Sequence, residues 1–113
     1  STKHLFDYIH SDIGIPIVFD YHHYKFCTGG QTEQEALELA MSTWPDGVTP
    51  VVHYSQSRAE EHNDPKIRPQ AHSDSYWAAP NLYGHDLYVM CECKHKEQGV
   101  FALLELMKNK AVA

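Results

Sequence analysis

The stretch "IPIVFD" (residues 15–20), followed directly by "YHH" (residues 21–23), decides how the chain folds. It is short, apolar and rich in β-branched residues, which predicts a buried strand. Asp20 stands at the carboxyl end of that strand, and burying an unpaired carboxylate there would cost several kcal/mol. We therefore expect Asp20 to have a partner where the strand ends.

Helices and strands alternate along the rest of the chain. A helix is predicted over about residues 3–12, ended by Gly14, and another begins at the capping box of Thr32 and Glu35. Further strands are predicted in "TPVVHYS" (49–55) and "DLYVMCEC" (86–93), and a last helix in "KEQGVFALLELMKNK" (96–110). This order predicts βαβ units and a parallel sheet, hence an α/β fold.

Three strands complete neither a closed barrel nor a well-covered open sheet. We therefore interpret residues 1–113 as a single partial domain, with about half of the fold missing. The connection between residues 55 and 86 is long, and such a loop is usually functional or contains a short helix of its own.

The composition narrows the class of protein. A net charge of -6 argues against binding phosphate groups over the whole surface, although bound metal ions could still attract a nucleic acid. No apolar run is long enough to span a membrane, so no membrane partner is expected. Three cysteines do not suggest a disulfide framework, which favours an intracellular location, in cytoplasm or nucleus.

Each predicted strand brings one metal-binding side chain to its carboxyl end: Asp20, His53 and Glu92. Active sites of parallel α/β barrels lie at that end. His23 follows the first strand closely, and His72 on the long loop could complete the cluster. Carboxylates with imidazoles suit Mn²⁺, Zn²⁺ or Fe²⁺, and such ions can activate water for attack on a phosphodiester.

Each residue also has a structural interpretation. A strand histidine such as His53 is often hydrogen-bonded in a core, and Asp20 alone could be a turn residue. His22 is a second-choice ligand, whereas Cys91 and Cys93 are expected to pack beneath helices. A metal-binding side chain at the end of all three strands favours a metal site over these structural interpretations.

Four segments resemble the C-terminal half of the UV-damage endonuclease family. They are "PIVFDYHH" (16–23), "TPVVHYSQSR" (49–58), "PQAHSDSYW" (69–77) and, most specifically, "DLYVMCECKHKEQGVFALLEL" (86–106). The resemblance implies the C-terminal part, about strands six to eight with their helices, of a TIM (β/α)8 barrel. It also implies a relation to endonuclease IV and the xylose-isomerase-like barrels.

The same resemblance implies a function: a DNA repair endonuclease that cuts the backbone immediately 5′ of UV photoproducts by metal-activated hydrolysis. The metal would be Mn²⁺, with Zn²⁺ or Fe²⁺ as alternatives. The family pattern is matched by Glu92 and Lys94, which are the predicted catalytic residues. On the long loop, Arg58, Lys66 and Arg68 are candidates to bind DNA phosphate, and each could equally be a solvated surface residue. The family pattern also identifies the metal ligands as Asp20, His23, His53, His72 and Glu92.

Two departures from the family pattern matter. Some members have a lysine, which can bridge metals when carbamylated, two residues before the strand-seven histidine; here that position is Val51. Strands one to five are also absent, so the fragment is expected to be inactive without the N-terminal half of the barrel. Damaged double-stranded DNA is then the partner of the full enzyme.

Two other functions remain open. A half-barrel with exposed strand edges could self-associate into a homo-oligomer without activity. A metal barrel could instead serve as a sugar isomerase.

Overall fold

The structure is a computed structural model that describes the backbone of residues 1–112 and the side chains of residues 1–108. Contacts divide the chain into two compact units. The first contains Ser1–His53 and Leu82–Met90, and the second contains Tyr54–Asn81 and the residues from Cys91 onward. A single partial domain over residues 1–113 stays a prediction. Among the described residues, no helix is both long and apolar enough to reach across a bilayer.

Helices and strands alternate as predicted, with additional short helices. The strands are β1 (Phe19–Asp20), β2 (Val51–Tyr54) and β3 (Tyr88–Cys91). The helices are α1 (Thr2–Leu5), a π-helix (Phe6–His10), α2 (Ser11–Ile13), α3 (Tyr21–Tyr24), α4 (Glu33–Met41), α5 (Arg58–His62) and α6 (Glu97–Val112). The long connection between β2 and β3 thus contains a short helix of its own, α5.

The three strands form one sheet in the order β1-β2-β3. β1 pairs with β2 in parallel, with Phe19 opposite Val52 and Asp20 opposite His53. β3 lies beside β2, and the N–H of Tyr88 at its start donates to the carbonyl of Pro50 at 3.0 Å. The prediction of an α/β fold with a parallel sheet is confirmed.

The first strand is shorter than the six residues predicted. Pro16 has no N–H to donate to a neighbouring strand. The N–H of Ile17 donates to Oγ1 of Thr43 at 2.7 Å, and its carbonyl accepts from Nε1 of Trp44 at 2.8 Å. Side chains that follow α4 thus satisfy the backbone of Ile17, and the pairing of β1 with β2 is formed by Phe19 and Asp20.

The core of the first unit lies on one face of the sheet. Ile17, Phe19 and Val52 are buried, and α4 packs against β1 with Leu37 fully buried. The strand alternation that buries these residues directs Asp20 to the opposite face. The capping box at the start of α4 is present, as predicted.

A pair of polar contacts joins the segment before β3 to α4. Nε2 of His85 lies 2.7 Å from Oε2 of Glu38, and the hydroxyl of Tyr83 donates to Oε1 of Glu33 at 2.8 Å. The hydrogen bond from His85 is the main cause that lowers the pKa of Glu38 below its ordinary value of 4.5. The ionised form of Glu38 therefore stabilises the folded chain.

This pKa shift predicts a pH dependence. A carboxyl whose folded pKa is lowered contributes stability above its unfolded pKa and loses it as the pH falls through the folded value. Between pH 6 and pH 3, the wild-type chain should lose more unfolding free energy than Glu38→Gln, measured by urea denaturation. His85→Leu, which cannot donate to Glu38, should also lose less than the wild type, and equal losses in all three proteins would contradict the prediction.

Candidate metal centre

The predicted metal ligands fall in both units. Asp20, His23 and His53 belong to the first, and His72 and Glu92 belong to the second. Within each unit, two of the predicted ligands lie side by side.

In the first unit, the adjacent ligands are Asp20 and His53, which are paired residues of the neighbouring strands β1 and β2. Paired residues of parallel strands point to the same face of a sheet. Asp20 is also the N-cap of α3, because its Oδ1 accepts the N–H groups of His22 and His23, both at 3.0 Å. Both bonds end on Oδ1, so Oδ2 is not part of the cap.

The two histidines of α3 differ in their surroundings. His22 is buried, 5% exposed, with its ring edge-on to Phe26 at 5.2 Å between centroids. His23 is exposed. This placement favours His23 over His22 as the residue that a ligand from solvent could reach.

In the second unit, Nδ1 of His72 lies 3.7 Å from Oε2 of Glu92. Both residues line a surface depression of about 350 Å³ that also contains Arg68 and Lys94. A carboxylate and an imidazole therefore lie beside two cationic side chains. Cations of this kind bind phosphate oxygens, and the arginine fork can do so through two hydrogen bonds.

The three predicted phosphate-binding residues have different surroundings. Arg68 lines the depression. Arg58 directs its Nε toward Oδ1 of Asp74, at 3.8 Å, so its charge faces a carboxylate. Lys66 is exposed, and its backbone N–H donates to Oδ1 of Asp64 at 2.9 Å. Only Arg68 of these three joins His72 and Glu92 at the depression.

One cluster was missed by the sequence analysis. Ligand atoms of Glu61, His62 and Asp74 all lie within 4.8 Å of one another. Nε2 of His62 is 2.7 Å from Oδ2 of Asp74 and 3.3 Å from Oε1 of Glu61. The hydrogen bond from His62 is the main cause that lowers the pKa of Asp74. The sequence offers no periodic signal for this cluster, because a loop brings Asp74 back to the end of α5.

Of the two cysteines near Glu92, Cys93 is the one seen to pack beneath a helix as expected. Cys91 and Cys93 are half-buried, and burial raises the pKa of both thiols. Cys93 packs beneath α6, where a Cβ added to Gly99 would stand 2.1 Å from its Sγ.

Comparison with known proteins gives a consistent result. The family model described as "UV-endonuclease UvdE" matches residues 2–113. A "UV DNA damage endonuclease" of Halalkalibacterium halodurans is 31% identical over 108 residues, covering 92% of this chain and 33% of that protein. A "UV-damage endonuclease" of Schizosaccharomyces pombe is 32% identical over 98 residues, covering 81% of this chain and 16% of that protein.

The fold has a match among solved structures. The crystal structure of SacUVDE superposes with a TM-score of 0.70 at 24% identity, covering 92% of this chain and 35% of that one. The chain spans about a third of the length of the bacterial relative and of SacUVDE.

The cap at α3 predicts how Asp20 variants will differ. Asparagine can also accept the two N–H groups, so Asp20→Asn should leave the unfolding free energy nearly unchanged. Asp20→Ala removes the cap and should cost about 1 kcal/mol. Urea denaturation measures both, and equal costs for the two variants would contradict this role.

Proposed function

Because the chain belongs to the UV-endonuclease UvdE family, we propose that it is part of a DNA repair endonuclease that cuts the backbone 5′ of UV photoproducts. The observation that carries the proposal is the depression where His72 and Glu92 meet Arg68 and Lys94. Two potential metal ligands beside two cationic side chains are suited to binding a phosphodiester next to a divalent metal ion. The family match favours this chemistry over that of a sugar isomerase.

In each unit, the donor types of the predicted ligands fit a divalent metal ion. Asp20, His23, His53, His72 and Glu92 offer carboxylate oxygens and imidazole nitrogens, which suit Mn²⁺, with Zn²⁺ or Fe²⁺ as alternatives. The pairing of Asp20 with His53, and the 3.7 Å approach of His72 to Glu92, support these assignments within each unit. A bound ion of this kind would polarise the phosphoryl oxygens and lower the pKa of a bound water.

The chain's own residues would then orient and stabilise the reacting phosphate. Arg68 would bind a phosphate oxygen and hold the DNA backbone in the depression. Lys94 would stabilise the negative charge that grows on phosphorus-bound oxygens as water adds and the bond to the leaving oxygen breaks. Glu92 would accept the proton from the attacking water. Arg58 and Lys66 would meet more distant phosphates, Arg58 with its charge partly offset by Asp74.

We propose that this chain corresponds to the last three strands of a barrel and needs the remaining part for activity. Val18, Tyr88 and Met90 are between 41% and 65% exposed in the first unit. Apolar side chains exposed together favour a surface that another part of the fold covers. A second copy of the chain is the alternative cover, and it would give an inactive homo-oligomer.

The metal proposal is tested by titrating the 113-residue chain with Mn²⁺ in a calorimeter. Glu92→Gln and Asp20→Asn each remove one proposed ligand while keeping the side-chain shape, so each should weaken binding at least about tenfold. Glu105→Gln makes the same change at an exposed position of α6 and should bind like the wild type. Unchanged affinity in the first two variants would contradict the ligand assignment.

The dependence on a missing part is tested with UV-irradiated plasmid. The chain alone with Mn²⁺ should leave the plasmid uncut, because part of the site and the surface that reads the lesion are absent. Its mass in solution, measured by light scattering, should be that of a dimer or larger if a second copy covers the apolar side chains. Damage-dependent nicking by the chain alone would contradict the proposal.

A further inference from the structure

The segment of residues 71–75, which carries His72, is fixed on both sides by backbone hydrogen bonds in the second unit. Ser73 is fully buried. Its N–H donates to the carbonyl of Gln56 at 2.8 Å, and its carbonyl accepts the N–H of Lys94 at 2.9 Å. The residue after His72 thus links the chain that follows β2 to the chain that follows Glu92.

A carboxylate from α5 secures the same segment. Oε1 of Glu61 accepts the N–H of Asp74 at 2.7 Å, and Oε2 accepts the N–H of Ser75 at 3.0 Å. His62, the next residue of α5, lies 2.7 Å from the side chain of Asp74. Glu61 is 18% exposed at its side chain, so water competes weakly for these bonds.

We propose that Glu61 is a positioning residue that holds His72 in the orientation in which it meets Glu92. Both oxygens of Glu61 are bonded to backbone N–H groups two and three residues beyond His72. These charge-assisted hydrogen bonds, which are stronger than neutral ones, fix the chain just beyond the buried Ser73 and so restrict the path of the backbone at His72. His62 supports the same arrangement through the side chain of Asp74. This inference rests on the proposed role of His72 as a metal ligand.

Three facts favour positioning over a second metal site at Glu61, His62 and Asp74. Both oxygens of Glu61 already accept backbone N–H groups. Nε2 of His62 and Oδ2 of Asp74 already form a hydrogen bond. The charge of Asp74 is partly offset by Arg58, at 3.8 Å.

The first test uses the unchanged chain. Hydrogen exchange followed by NMR should show the amides of Asp74 and Ser75 protected, because each donates to Glu61. Exchange of both amides at the rate of an unstructured peptide would overturn the proposal, whatever the variants do.

The second test compares two variants of α5. Glu61→Gln keeps the shape of the side chain but leaves one N–H without an acceptor, whereas Glu60→Gln removes the same charge from an exposed neighbour. In ¹⁵N-histidine spectra, with the signal assigned by His72→Gln, Glu61→Gln should shift or broaden the ring resonances of His72. It should also weaken Mn²⁺ binding by about tenfold, as loss of an outer-shell partner does. Glu60→Gln should change neither property.

The outcomes separate this inference from the proposed function. Altered His72 resonances in Glu61→Gln, without Mn²⁺ binding by any form of the chain, would support positioning and contradict the metal role. Unaltered resonances in folded Glu61→Gln would overturn positioning even if Mn²⁺ binds tightly to the wild type. A shift of the His62 resonance on adding Mn²⁺, with His72 unmoved, would make the cluster a metal site and overturn the proposal.

Discussion

The register between β1 and β2 is the constraint on which the candidate ligands of the first unit depend. Phe19 lies opposite Val52, and both are buried, whereas Asp20 lies opposite His53 on the other face. If β1 slipped by one residue, the carboxylate of Asp20 would turn into the core, at a cost of several kcal/mol. Packing of two apolar residues therefore brings two potential ligands together without any bond between them.

The candidate ligands of the second unit depend on hydrogen bonds rather than on apolar packing. His72 lies in a segment whose backbone is bonded to residues after β2, to residues after Glu92 and to Glu61. Such a segment has no regular structure to hold it, so its shape follows from the side chains and carbonyls that satisfy its N–H groups. The side chain of His72 is half-buried, and the next residue, Ser73, is fully buried. The backbone that positions His72 is therefore held in the interior of the second unit.

Local signals explain which parts of the fold were predictable. The capping box of Thr32 and Glu35 and the left-handed Gly14 that ends α2 involve residues at most a few positions apart. The length of β1 was not predictable in this way. Thr43 and Trp44 satisfy the backbone of Ile17 from 26 and 27 residues away. No local pattern reveals that the N–H and carbonyl of a strand-like residue will bond to distant side chains.

The candidate functional residues were likewise predictable only where the signal was local. The sequence by itself determined the alternation that brings Asp20, His53 and Glu92 to strand ends, because side chains of a strand point alternately to its two faces. It also contained the motifs that place the chain in its family. Only the tertiary structure decided that Arg68 and Lys94 flank His72 and Glu92, that Arg58 faces Asp74, and that Glu61 secures the loop. These contacts join residues that are distant along the chain. They depend on the path of the loop between β2 and β3, and no periodic pattern in the sequence predicts that path.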